Sequence, residues 1–200
     1  MLPVMIDATG GALERPVRLR AVVLVEGLSD RIALEAVASR RGRSLSAEGV
    51  SVVDLGGAKN VGRFLERSGP PGLDVPLSGL YDAAEEPGFR RALERVGLGP
   101  ELSRADMERL GFFACVEDLE DELIRAIGAD VVLEVIRTRG ELGAFRTLSK
   151  QPEWRERPAK ERLRRFLGNA SRKITYAPLL VEVVAPSAVP RPLDRVLSHV

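Results

Sequence analysis

Residues Ala21 to Val25 form an unbroken apolar run closed at once by Glu26 and Gly27, and this segment limits how the chain can fold more than any other. A short run of aliphatic, largely β-branched side chains reads as a strand covered on both faces, because a strand with one wet face would alternate. Gly27 supplies the tight turn into a helix, with Ser29 as the expected N-cap of the amphipathic stretch Arg31 to Arg40. Glu26 then stands at the strand's carboxyl end. Asp30 falls in the first helical turn, where a carboxylate suits the positive end of the helix dipole. Ligands of open α/β sheets bind in the crevice beyond the strand carboxyl ends, and two carboxylates converging there offer the hard oxygen donors that suit Mg²⁺ or Mn²⁺.

The same unit recurs along the chain. Val50 to Leu55 is a second apolar strand, turned by Gly56-Gly57 into a helix from Ala58 to Arg67, which Pro70, Pro71 and Gly72 end. Val75 to Tyr81 is a third strand ending at Asp82, followed by a helix from Gly88 to Val96. Phe112 to Val116 is a fourth, followed by the acidic run Glu117 to Glu122, which opens a helix reaching Ile127. Strands alternating with helices imply parallel pairing through right-handed crossovers, so the acidic ends belong on one edge of the sheet. The expected architecture is an α/β, Rossmann-like, mostly parallel sheet of about four strands over residues 21–128. An irregular lead-in occupies 1–20. From 129 to 200 the spacing is helical only (Val131 to Thr138, Glu141 to Lys150, Pro158 to Leu167, Ser171 to Val184 and Leu193 to Ser198), giving a helical extension packed on the sheet domain.

Composition removes several kinds of chemistry. A chain of 200 residues buries one substantial core rather than two α/β domains. Its net charge of +1 gives no global pull toward nucleic acid or membrane. The only histidine is the penultimate His199, which argues against a Ser-His-Asp triad or a histidine zinc centre. Cys115, the sole cysteine, lies in an apolar run and is expected in the core. No GxxxxGK[ST] motif occurs, so ATP hydrolysis needs a partner chain. No apolar run reaches a membrane span, and the first residues, which hold Asp7 and Glu14 without a basic n-region, do not read as a signal peptide; the expected compartment is the cytoplasm.

With Leu24-Val25-Glu26-Gly27-x-x-Asp30 followed by Leu80-x-Asp82-Ala83-Ala84-Glu85-Glu86, the chain resembles the TOPRIM domain of topoisomerases, primases and OLD (overcoming lysogenization defect) nucleases. Such domains keep a glutamate after the first strand and an Asp-x-Asp motif after the third, and bind Mg²⁺ for phosphoryl transfer. The OLD branch is the most similar, because Phe112 to Glu122 resembles its later acidic motif and Arg172-Lys173-Ile174-Thr175-Tyr176-Ala177 its catalytic-lysine segment. The likeness spans Ala21 to Ala185. It implies that Glu26 and Asp30 hold metal, that Asp82 is the first acid of Asp-x-Asp, and that Glu120 or Asp118 completes a second site. Glu26 and Lys173 are the catalytic pair, Lys173 facing the scissile phosphate.

Two cations about 4 Å apart would stabilise the attacking and leaving oxygens of a phosphodiester displacement. Ala84 stands where the group carries its second aspartate and cannot ligate a cation, which leaves one of the two metal sites short of a donor unless Glu85 or Glu86 reaches in. The function implied is Mg²⁺- or Mn²⁺-dependent hydrolysis of DNA, or less readily RNA, by a TOPRIM module without its own ATPase half. The alternative is a TOPRIM module that has lost catalysis and binds nucleic acid or a partner protein. Strand passage needs a separate tyrosine domain, and the only tyrosines are Tyr81 and Tyr176.

Other residues carry weaker readings. Lys59 and Arg63, after Gly56-Gly57, are placed to approach a phosphate, as is Arg172. The run Arg155 to Arg165 is either a basic track for nucleic acid or, with Glu153, Glu156 and Glu161 diluting it, a charge-balanced surface. Trp154 and Tyr176 read as packing residues. Partners expected are nucleic acid, a separate ATPase chain and, through the apolar tail, a second copy of the chain.

Overall fold

The structure, a computed structural model, describes residues 18–68 and 75–200. The lead-in to residue 17 and the Pro70-Pro71-Gly72 break lie outside the described residues. Four strands, β1 (Ala21–Val25), β2 (Val50–Asp54), β3 (Leu77–Asp82) and β4 (Phe112–Cys115), form one sheet in the order β2-β1-β3-β4, every neighbouring pair parallel. The crossovers are made by α1 (Leu28–Arg40), by α2 (Val61–Ser68), and by α3 (Glu86–Arg95) with α4 (Arg104–Arg109). Short 3₁₀ turns at Ala58–Asn60 and Ala83–Glu85 lead into α2 and α3. The tail is α5 (Leu119–Ile127), α6 (Ala129–Thr138), α7 (Leu142–Ser149), α8 (Ala159–Leu167), α9 (Ala170–Val183) and α10 (Arg191–His199). No helix among the described residues is long and apolar enough to cross a membrane.

The apolar run of β1 is explained by helices on both sides of the sheet. Ala21, Val23 and Val25 point into one core with α1, α5, α6, α8, α9 and α10, whereas Val22 and Leu24 point into another with α2, α3 and α4. Strand side chains alternate between faces, so a strand buried on both has no polar position to spare. The tail helices complete the first core: α9 lies along α1, where the Arg40 guanidinium donates to the Val181 carbonyl, and α10 returns to β3 and β4, setting His199 edge-on to Phe113 at 6.3 Å between ring centroids. Cys115 is buried, and its surroundings push the thiol well above its ordinary pKa.

Two local expectations differ from the structure. Ser29 is not the N-cap of α1; it is buried inside the first turn, Gly27 occupies the cap, and the Asp30 carboxylate accepts the Gly27 N–H at 2.9 Å. The Arg104–Arg109 helix, capped by Ser103 whose hydroxyl accepts the Asp106 N–H, was not expected.

At Gly79 in β3 an added Cβ would lie 2.7 Å from the Phe112 ring and 3.1 Å from the Leu24 carbonyl oxygen, both fixed in the core. Gly79→Ala is therefore expected to cost about 1–3 kcal/mol through overpacking, lowering Tm by roughly 2–4 °C per kcal/mol. An unchanged melting curve would show that β3 and Phe112 can separate freely.

Candidate active site

Strand order places the site. The chain leaves β1 toward β2 on one side, and β3 lies on the other, so the crevice between β1 and β3 is where the order reverses and where ligands of such sheets bind. The register pairs Leu24 with Gly79, which carries Glu26 alongside the end of β3. Glu26 Oε1 accepts the Asp82 backbone N–H at 2.7 Å. The first turn of α1 adds Asp30 at the same edge, the N-terminal turn of α5 adds Glu120, and Lys173 reaches over from α9 to stand 2.8 Å from Glu120 Oε2. Glu120 is only 5% exposed, and Lys173 is the one partner of its Oε2 among the described residues.

These groups act on one another. Burial, then the charges of Glu26, Asp30 and Asp118, push the Asp82 carboxyl up to about 8, Lys173 opposing them. Asp30 is pushed up to about 7, mainly by burial and further by Glu120, against the pull of the Gly27 N–H. Burial also raises Glu26, opposed by the Asp82 N–H and reinforced by Glu85, and raises Glu120 against the counter-charge of Lys173. Burial alone would lower Lys173, but the charge and contact of Glu120 outweigh it and hold the ammonium above its ordinary value. The result is a pocket of crowded carboxylates opposed by one lysine.

Among the described residues no three acidic, histidine or cysteine side chains close on a common point as ligands of a bound ion do. Mutual repulsion explains the spread, since Glu26 and Asp30 each turn an oxygen to a backbone N–H and Glu120 leans to Lys173. The donors nonetheless fit a divalent cation. All are hard oxygens, and their carboxyls are raised by burial first and by neighbouring acids second, both of which a bound cation would offset by favouring the charged form.

Other candidates are held elsewhere. Glu86 is committed to Arg90 and Arg104, its two oxygens each 2.5 Å from a guanidinium, and stands apart from the acidic pocket. Asp118 caps α5, one oxygen accepting the Asp121 N–H at 2.8 Å and the other meeting Arg164 at 2.7 Å, so its charge is felt in the pocket while both oxygens are engaged. Arg172 lies 2.7 Å from Glu141 and 3.9 Å over the Phe166 ring, a structural position and not a free basic one. Lys59 is exposed in a groove beside Ala84 and Glu85; Arg63 is exposed on α2 outside that groove.

The run Glu117 to Glu122 is not a solvated helix start. Glu120, Asp121 and Glu122 are buried, and Arg125, Lys160 and Arg164 cover the run through ion pairs of 2.6 to 3.0 Å. Lys160 and Arg164 are thus spent on these acids, and Arg155 and Arg157 meet Glu156 and Glu161, which favours the charge-balanced reading of that surface. Tyr176 is buried with its hydroxyl on Glu141, as a packing residue. Sequence reasoning missed this pairing between the two oppositely charged runs; their complementary signs were the available signal.

Comparison with known proteins agrees with the geometry. Residues 19–83 match the family model for the overcoming lysogenization defect protein-like TOPRIM domain. The fold is similar to the C-terminal region of the Xanthomonas campestris pv. campestris OLD protein, with TM-score 0.70 and 25% identity over 90% of this chain and 91% of that one. A second structure of that region gives TM-score 0.66 and 28% identity over 90% and 93%. The C-terminal region of the Burkholderia pseudomallei OLD protein shares the fold at TM-score 0.69 and 22% identity, over 90% and 96%. No curated protein matches the chain in sequence.

Proposed function

Taking residues 19–83 as an OLD-like TOPRIM domain, we propose that this chain is a nuclease that hydrolyses phosphodiester bonds of DNA, and secondarily RNA, with Mg²⁺ or Mn²⁺ as cofactor. The observation that carries the proposal is the gathering of Glu26, Asp30, Asp82 and Glu120 around Lys173 at the switch point of the sheet. Glu26, Asp30, Asp82 and Glu120 would hold the metal; Asp118 contributes charge from behind its two hydrogen bonds. When bound, the cation supplies Lewis acidity and a lowered pKa for an attacking water. Ala84, exposed beside Glu85, brings no oxygen, so the donor set is richer on the Glu26 and Glu120 side.

The chain's own residues then divide the work. Glu26 Oε2, the oxygen not engaged by the Asp82 N–H, takes the proton of the attacking water, a role suited to a carboxyl whose pKa burial has raised. Lys173, kept protonated by Glu120, faces the scissile phosphate and neutralises the charge that grows on its oxygens. A separate ATPase chain and a second copy of this chain are the proposed protein partners, and the cytoplasm the proposed compartment.

The test is nicking of a supercoiled plasmid and of an RNA of equal length in Mg²⁺ and in Mn²⁺. Cleavage with either cation that disappears in EDTA and in Asp82→Ala is the expected result. Binding without cleavage in any divalent cation would support the alternative of a TOPRIM module that has lost catalysis.

A further inference from the structure

We propose that the groove between the start of α2 and the start of α3 is a binding track for a nucleic-acid backbone, carried by Lys59 and Arg91 and opened to phosphate by Ala84. The proposal rests on the nuclease reading for its ligand and adds a place where the strand lies beyond the scissile bond.

The groove has a volume of about 380 Å³ and runs between the turn after β2 and the turn after β3. Its cationic wall is Lys59, Arg91 and Arg95, and Glu85 is the only acid among its lining residues. Arg95 is paired with Glu66 at 2.8 Å. Lys59 and Arg91 are exposed and enter no ion pair among the described residues, in contrast to Lys160 and Arg164 of α8, which are tied to acids. A surplus of positive charge thus faces water in a concave surface, the arrangement that releases counterions from a phosphate backbone.

Position and floor agree with such a ligand. Small residues, among them Gly62 and Gly88, keep the groove open, and a Cβ at Gly88 would meet nothing within 4 Å. The groove adjoins the acidic pocket, since Glu85 lies close enough to Glu26 for their charges to interact. β2 and β3 flank β1, so the two turns are two strand spacings, about 10 Å, apart. Ala84 lines this groove. An aspartate there would set a second negative charge beside Glu85 in the path of the phosphates, so alanine at this position clears the track.

The experiment is fluorescence anisotropy of a 5′-labelled 30-nucleotide DNA strand and of its duplex, titrated with the full chain in EDTA across a series of salt concentrations, so that no cleavage is involved. Lys59→Glu and Arg91→Glu are each expected to weaken binding by about tenfold at low salt, and Lys59→Gln together with Arg91→Gln to reduce the slope of log K against log salt by roughly 1.4 on the single strand and roughly 1.8 on the duplex. Ala84→Asp is expected to weaken binding by several-fold. Arg146→Glu, an exposed arginine on α7 across the sheet, serves as the charge-matched control and is expected to change affinity less than twofold. Affinity and salt slope unmoved in the Lys59 and Arg91 variants, or an equal loss in Arg146→Glu, would overturn the proposal, as would failure of the unmodified chain to bind either DNA. Binding with these losses but no cleavage in Mg²⁺ or Mn²⁺ would uphold the track while the nuclease reading fails.

Discussion

Glu26→Gln is expected to slow metal-dependent cleavage by about a thousandfold or more while leaving the fold intact, because it removes a charge and a proton acceptor at the reacting centre together. The isosteric amide can still accept the Asp82 N–H through its oxygen, so the 2.7 Å tie between the ends of β1 and β3 survives. Loss of kcat with little change in KM, and an unshifted thermal melt, is the outcome that fits a group acting on the reaction. A matched rise in KM with kcat kept would place Glu26 in substrate binding instead. Lys173 is harder to read from a single variant. Truncating it strips the counter-charge from Glu120, which is only 5% exposed, while Lys173 itself is a third exposed, so the expected loss lies below the roughly 3–5 kcal/mol of a fully buried pair. The informative comparison sets Lys173→Met against Lys173→Met with Glu120→Gln: the second substitution is expected to restore the melting temperature and leave cleavage abolished.

The strands and the acidic edge were legible in the sequence because each rests on a local rule. An apolar run covered on both faces shows itself without knowledge of its partners, and the expected bounds of β1 match those observed. Sheet order was not legible, since β2-β1-β3-β4 is decided by which helices share a core, a long-range matter. The helix Arg104–Arg109 was missed for lack of period: it is short, and only Met107 within it is buried. The site candidates divide in the same way. Arg172 and Lys173 are neighbours in sequence, but successive residues on a helix point about 100° apart, so one meets Glu141 and the other Glu120. Glu86 was grouped with Glu85 by adjacency, whereas the start of α3 turns it to Arg90 and Arg104. Sequence spacing identified the edge at which the acids gather; side-chain direction, which tertiary packing sets, decides which of them face one another.

The acidic pocket also predicts a stability effect opposite to that of most substitutions at a sheet edge. Asp82 is raised from an ordinary 3.8 to about 8 and Asp30 to about 7, by burial first and then by neighbouring acids. A carboxyl raised in the folded state binds its proton more tightly there than in the unfolded chain. Its contribution is therefore fully present below about pH 4 and is lost as pH rises through the folded value near 8. In EDTA the protein is accordingly expected to lose stability between about pH 5 and about pH 8.5, where most of the remaining groups hold constant charge. Asp82→Asn removes the most strongly raised of these charges, and the Asp82 side chain holds no hydrogen bond among the described residues that the amide would forfeit. Discounted for the water-facing part of the site, the gain at about pH 8.5 without metal is about 1–3 kcal/mol, or roughly 2–4 °C of Tm per kcal/mol, and it vanishes at about pH 4. Under the proposed metal-dependent reading, millimolar Mg²⁺ or Mn²⁺ is expected to reverse the order. Binding the folded state alone, the cation raises the Tm of the unmodified chain by mass action, about 2.7 kcal/mol at roughly a hundred times Kd, and raises that of the Asp82→Asn variant less. A Tm for Asp82→Asn that is lower than the unmodified chain's at about pH 8.5 in EDTA would show that the carboxylates do not repel one another across the end of the sheet, and with that the proposed cation site would lose its physical basis.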